Sequence, residues 1–121
     1  MTEFLTVEQV IALHDQEKVC ALLNRGYLES AVGQPSATWG GAYLYPTLLQ
    51  QAGVLLFGIC KAHAFEDANK RTAWLACVAF LDLNGVELVD VPQAEVEQLM
   101  VDVADNGYDA AQVTAWLIDR V

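Results

Sequence analysis

One short stretch of this chain gathers groups that can move a proton and hold a phosphate: His63-Ala64-Phe65-Glu66-Asp67-Ala68-Asn69-Lys70-Arg71. It lies between two apolar segments that read as buried helices, so its polar density needs a reason. The first turn of the second helix offers free backbone N–H groups and the positive end of the helix dipole. Cations oppose that dipole. Asn69, Lys70 and Arg71 make sense there if an anion sits among them, and phosphate is the common anion at such a site. Asp67 is a hard oxygen ligand able to hold Mg²⁺ beside phosphates. Histidine exchanges protons near neutral pH, which suits His63 to take a proton from an attacking hydroxyl. Phe65, apolar within a polar loop, reads as the anchor that holds its neighbours against the core. Singly these residues say less. His63 alone suits a helix C-cap or a core histidine, Asp67 a capping carboxylate, and Lys70-Arg71 a solvated surface. His63 with Asp67 also lacks the third ligand of a zinc site.

The elements around this stretch follow from periodicity. Thr6 with Gln9 forms a capping-box pattern that opens a first helix, read as running to about Asn24. Arg25-Gly26 reads as a break, and residues 27–32 as a short helical piece ending near Gly33. Residues 34–41 read as a loop punctuated by Pro35 and Gly40-Gly41. Pro46 suits the first turn of a long helix in which Leu48, Leu49, Ala52, Leu55, Leu56, Ile59 and Cys60 recur at helical spacing. That central helix ends near Lys61-Ala62. A second buried helix is expected from Arg71 or Thr72 through Trp74, Leu75, Val78, Phe80 and Leu81 to Asn84-Gly85. Residues 86–89 suit a short extended piece. Asp90 and Pro92 open another helix reaching about Asp105, and Asp109 with Gln112 opens a last one through Trp116 and Leu117. The expected architecture is all-α: one compact domain over residues 1–121, a bundle of about six helices with short connections.

Composition bounds the function. Hydrophobic residues make up 55% of the 121, which supports a generous core. The formal net charge is −10, with 6 Lys+Arg against 16 Asp+Glu. An acidic surface repels phosphate backbones, which argues against direct nucleic-acid binding. Cys20, Cys60 and Cys77 have no paired spacing and read as reduced thiols, the last two as small core residues. The first ten residues carry Glu3 and Glu8 and no basic start, unlike a signal peptide. No apolar run approaches the ~20 residues of a membrane span. A cytoplasmic protein without membrane contact is expected.

The nine-residue string resembles the signature of the Fic/Doc family, His-x-Phe-x-(Asp/Glu)-(Gly/Ala)-Asn-(Gly/Lys)-Arg. His63, Phe65, Asp67, Ala68, Asn69, Lys70 and Arg71 each match. Lys70 makes it most similar to the Doc (death-on-curing) branch, where the larger Fic branch has Gly. Leu28-Glu29-Ser30-Ala31, Gln34-Pro35, Leu44-Tyr45-Pro46 and the run from Phe80 to Gly85 also look like Doc-type text. The resemblance covers roughly residues 27–86 well and the flanking helices loosely.

The resemblance implies a compact helical bundle with this loop between two central helices. It implies a Doc-type toxin of a toxin–antitoxin module, an ATP- and Mg²⁺-dependent protein kinase that phosphorylates a threonine of translation elongation factor Tu and blocks translation. His63 would be the general base, Asp67 would hold Mg²⁺, and Asn69, Lys70 and Arg71 would clamp the phosphates. The partner would be a cognate antitoxin whose C-terminal segment binds near the active site. Fic enzymes instead transfer AMP to a protein hydroxyl and carry a second Arg three residues after the first; Trp74 stands at that position, and the Doc branch is similar in lacking that Arg. AMP transfer and a non-catalytic regulatory relative are the alternative readings. Doc relatives have a longer Gly-rich stretch upstream, whereas residues 15–25 here read as continuous helix, a difference that bears on target docking. His14 reads as structural or exposed, and Lys61 as a solvated lysine in a last helical turn.

Overall fold

Three helices of this protein begin with a reciprocal side-chain cap. Thr6 with Gln9, Thr47 with Gln50 and Asp109 with Gln112 each exchange two backbone-to-side-chain hydrogen bonds at 2.8–3.2 Å. Each pair satisfies N–H groups that a helix start leaves open. The computed structural model describes residues 1–121. It contains α1 (Val7–Glu17), α2 (Arg25–Gly33), a 3-10 turn (Gln34–Ser36), a hairpin of β1 (Thr38–Trp39) and β2 (Ala42–Tyr43), α3 (Leu48–Ala62), α4 (Asn69–Leu83), α5 (Gln93–Ala104) and α6 (Ala110–Ile118). The expected six-helix, all-α architecture is what forms.

α3 is the axis of the bundle and packs against α2, α4, α5 and α6. Ala52, Leu55, Leu56, Ile59 and Cys60 on α3 are buried with Ala73, Ala76, Cys77 and Phe80 on α4. Gly53 allows the closest approach. A Cβ there would lie 2.5 Å from Thr114 Oγ1 and 3.2 Å from the Ala110 carbonyl of α6. Cys60 and Cys77 are core residues, as expected, and burial pushes the Cys77 thiol up to about 12. No helix is long and apolar enough to cross a membrane.

Several expectations are corrected. α1 stops at Glu17 rather than near Asn24, and Lys18 caps it with extended backbone. Residues 18–24 run antiparallel to the loop after α3, with Leu22 bridged to Phe65. Leu23 and Asn24 donate N–H groups to the Ala64 carbonyl at 2.7 and 3.0 Å, and Glu66 donates to the Ala21 carbonyl at 2.9 Å. The loop's backbone groups need partners, and this pairing overrides local helix propensity. Arg25-Gly26 starts a helix rather than breaking one, because Asn24 Oδ1 accepts from the Tyr27 N–H at 3.0 Å. Within residues 34–41, Gly40 and Gly41, at φ 60° and 84°, turn a two-residue hairpin. Residues 86–89 form no strand.

Candidate active site

α3 ends at Ala62, and His63 follows as its C-cap in the left-handed region, at φ 47° and ψ 43°. That conformation costs a non-glycine residue about 1–2 kcal/mol. It leaves the imidazole exposed on the wall of a cleft. The loop then returns to the core. Phe65 is 2% exposed, and its ring stacks on His14 with centroids 3.7 Å apart and planes 8° from parallel. His14 is wholly buried, with one ring nitrogen 3.0 Å from the Asp67 carbonyl and the other 3.0 Å from Asp15 Oδ1. The lone histidine of α1 is therefore structural: it holds the backbone of the loop from below.

Asn69 closes the loop on itself. Its Oδ1 accepts from the Phe65 N–H at 3.0 Å and its Nδ2 donates to the Phe65 carbonyl at 2.8 Å. The amide expected among the phosphate contacts is thus already engaged in shaping the loop. Ala68 is a second left-handed residue, at φ 64°, which fits a motif position shared by Gly and Ala. The Thr72 N–H bonds the Ala68 carbonyl at 3.0 Å. Hence α4 begins at Asn69, ahead of the expected start at Arg71 or Thr72, and Lys70 and Arg71 belong to its first turn. No side chain caps this N-terminus.

The cleft measures about 550 Å³. One wall is His63 and residues 66–71; the other is Trp74 with Val96, Met100 and Val101. Trp74 meets Trp116 edge-on at 5.8 Å, so the position of the second Fic arginine is part of an apolar wall. Lys70 is exposed and makes no hydrogen bond or ion pair. Arg71 Nη1 lies 3.3 Å from Glu17 Oε2. Asp67 accepts the Ala68 N–H at 2.7 Å on Oδ1 and pairs with the Lys18 ammonium through Oδ2. The Lys18 hydrogen bond, then that of Ala68, holds the Asp67 carboxyl below the usual carboxylate range, and Asp67 in turn raises Lys18.

No three His, Cys, Asp or Glu side chains cluster as a metal cage. Asp67 offers one exposed carboxylate, with Oδ1 on the Ala68 N–H and Oδ2 on Lys18; one carboxylate fits Mg²⁺ where water and phosphates supply its other ligands. Lys61 is not a solvated lysine. Its Nζ donates to the Val103 and Ala104 carbonyls at 3.4 and 3.3 Å and also meets Asn106, so it caps the C-terminal end of α5. Sequence reasoning missed Glu17 and Lys18 entirely, because both fall inside what reads as an unbroken helix. A second cavity, of about 450 Å³ between α2 and α3, has Lys61 as its one charged residue.

Residues 4–81 match the model of the Fic/DOC family, and the chain belongs to that family. Two relatives are similar along nearly the whole length. "Toxin Doc" of Mycolicibacterium smegmatis is 40% identical over 123 aligned positions, covering 97% of this chain and 92% of that protein. "Protein kinase doc" of Escherichia phage P1 is 31% identical over 115 positions, covering 90% of this chain and 88% of that protein.

Proposed function

We propose that this chain is a Doc-type toxin that transfers the γ-phosphate of ATP to a threonine hydroxyl of elongation factor Tu. The toxin and kinase readings draw on the names of the two relatives. The observation that carries the chemistry is the uncapped N-terminus of α4, with Lys70 and Arg71 in its first turn, opening on the cleft that His63 lines. In this reading Lys70, Arg71 and the open N–H groups hold the phosphates and balance charge that builds on them. His63 takes the proton of the target hydroxyl as its oxygen attacks the γ-phosphorus; the bond to the β–γ bridging oxygen breaks and ADP leaves. Asn69 acts through the loop, keeping Phe65 and therefore His63 in register. Asp67 is the residue to hold Mg²⁺, which supplies further neutralisation of the phosphate charge when bound.

The same reading places the protein in the cytoplasm, where ATP and the translation machinery are. It makes the partner an antitoxin whose C-terminal segment binds beside the cleft. The test is transfer of label to purified elongation factor Tu from γ-³²P-ATP and, in parallel, α-³²P-ATP, with wild type and His63→Ala. Label from the γ position alone, lost in the variant, is expected. Label from the α position would instead mean AMP transfer, and no label from either would remove this target.

A further inference from the structure

We infer that Lys18 is a built-in cation that occupies the metal-binding face of Asp67 at rest and competes with a divalent ion for it. The inference rests on the reading of Asp67 as the metal carboxylate. Asp67 has one committed oxygen: Oδ1 accepts from the Ala68 N–H at 2.7 Å. Oδ2 accepts from no backbone N–H and is the oxygen left for a metal, and the Lys18 ammonium is on it. Lys18 is held in place for this. As the C-cap of α1 it donates its backbone N–H to the His14 carbonyl at 3.0 Å, which fixes its Cα at the helix end. A lysine at a helix C-terminus gains from the dipole if its ammonium stays over the last carbonyls. Here it reaches across to a carboxylate 49 residues further along.

The pair is built to open. Its side chains are 53% and 58% exposed, and an exposed pair of this kind is weak enough for an ion to displace. Displacement is not free, however. A metal must break the pair and then lie close to the ammonium charge that it replaced. Lys18 thereby sets how much divalent ion the site needs before it loads.

The measurement is the affinity of the whole chain for Mn²⁺ alone, read from the EPR signal of the free ion, in wild type, Lys18→Met, Lys18→Arg, Asp67→Asn and Arg25→Met. Lys18→Met should bind about five- to tenfold tighter than wild type, from the removed competitor and repulsion together. Lys18→Arg should stay near wild type. Arg25, whose guanidinium pairs with Glu8, controls for net charge and its variant should leave the affinity unchanged. Equal affinity in wild type and Lys18→Met, no binding by Lys18→Met, or equal tightening in Arg25→Met overturns the inference. Unaltered binding by Asp67→Asn sinks the metal reading itself; weakened binding there with an unresponsive Lys18 removes only the role of Lys18.

Discussion

His63 combines the proposed role of general base with a strained backbone, and the two separate by substitution. Its φ of 47° is left-handed, a conformation glycine adopts without the Cβ clash that alanine retains. His63→Ala and His63→Gly should both lose about 10²–10⁴-fold in transfer rate, the usual contribution of a positioned base. The glycine variant should melt above the alanine variant, the difference corresponding to about 1 kcal/mol. Equal melting temperatures would mean that the turn is not strained. Asp67 yields a pH prediction of definite sign. Its carboxyl is depressed, first by the Lys18 hydrogen bond, so its stabilisation is present above the unfolded value of about 4 and fades as pH falls through the lowered one. Lys18 is raised by the same contact, so its share is present below about 10.4 and lost only as pH climbs through the raised value. The melting difference between wild type and Asp67→Asn should therefore be constant from about pH 5 to 9 and shrink in acid. A difference that changes across neutrality would assign the effect to another group.

Elements bring these residues together through contacts of unequal legibility. α3, α4, α5 and α6 show in the spacing of apolar residues, and two of the capping boxes show as Thr6/Gln9 and Asp109/Gln112. The motif from His63 to Arg71 is legible because it is contiguous. The end of α1 is not, since nothing local in residues 15–25 forbids helix. What ends it is the demand of a loop more than 40 residues later for backbone partners, met by Ala21 and by the N–H groups of Leu23 and Asn24. Glu17 and Lys18 reach Arg71 and Asp67 only because the helix stops there. The α3–α6 contact is likewise tertiary, and it depends on the bare Cα of Gly53. Gly53→Ala should destabilise by about 1–3 kcal/mol despite alanine's better helix propensity, because the Ala110 carbonyl and the Thr114 backbone N, each 3.2 Å from the added Cβ, must move. Thermal unfolding checks this; a variant as stable as wild type would show that α6 yields without cost.

At the scale of the whole molecule the distribution of cations matters more than their number. The chain carries a net charge of −10 with only 6 Lys+Arg. Lys18, Arg25, Arg71 and Arg120 each face a carboxylate, and Lys61 is held by carbonyls of α5. Lys70 is the one cation without a partner, and it stands at the mouth of the cleft beside the open end of α4. The rest of the surface repels polyanions, so a compact polyphosphate has one favourable place to bind, whereas an extended nucleic acid would lie against acidic surface as well. Inorganic tripolyphosphate with Mg²⁺ should accordingly raise the melting temperature of wild type, by an amount corresponding to about 2.7 kcal/mol at one hundred times its Kd. Lys70→Ala should lose most of that shift while its own unliganded stability stays within about 0.5 kcal/mol of wild type, since the lysine side chain contacts no partner. A single-stranded RNA of matched phosphate concentration should give no shift. If RNA stabilises the chain as strongly as tripolyphosphate does, the acidic surface does not select, and the cleft is not the place where phosphate binds.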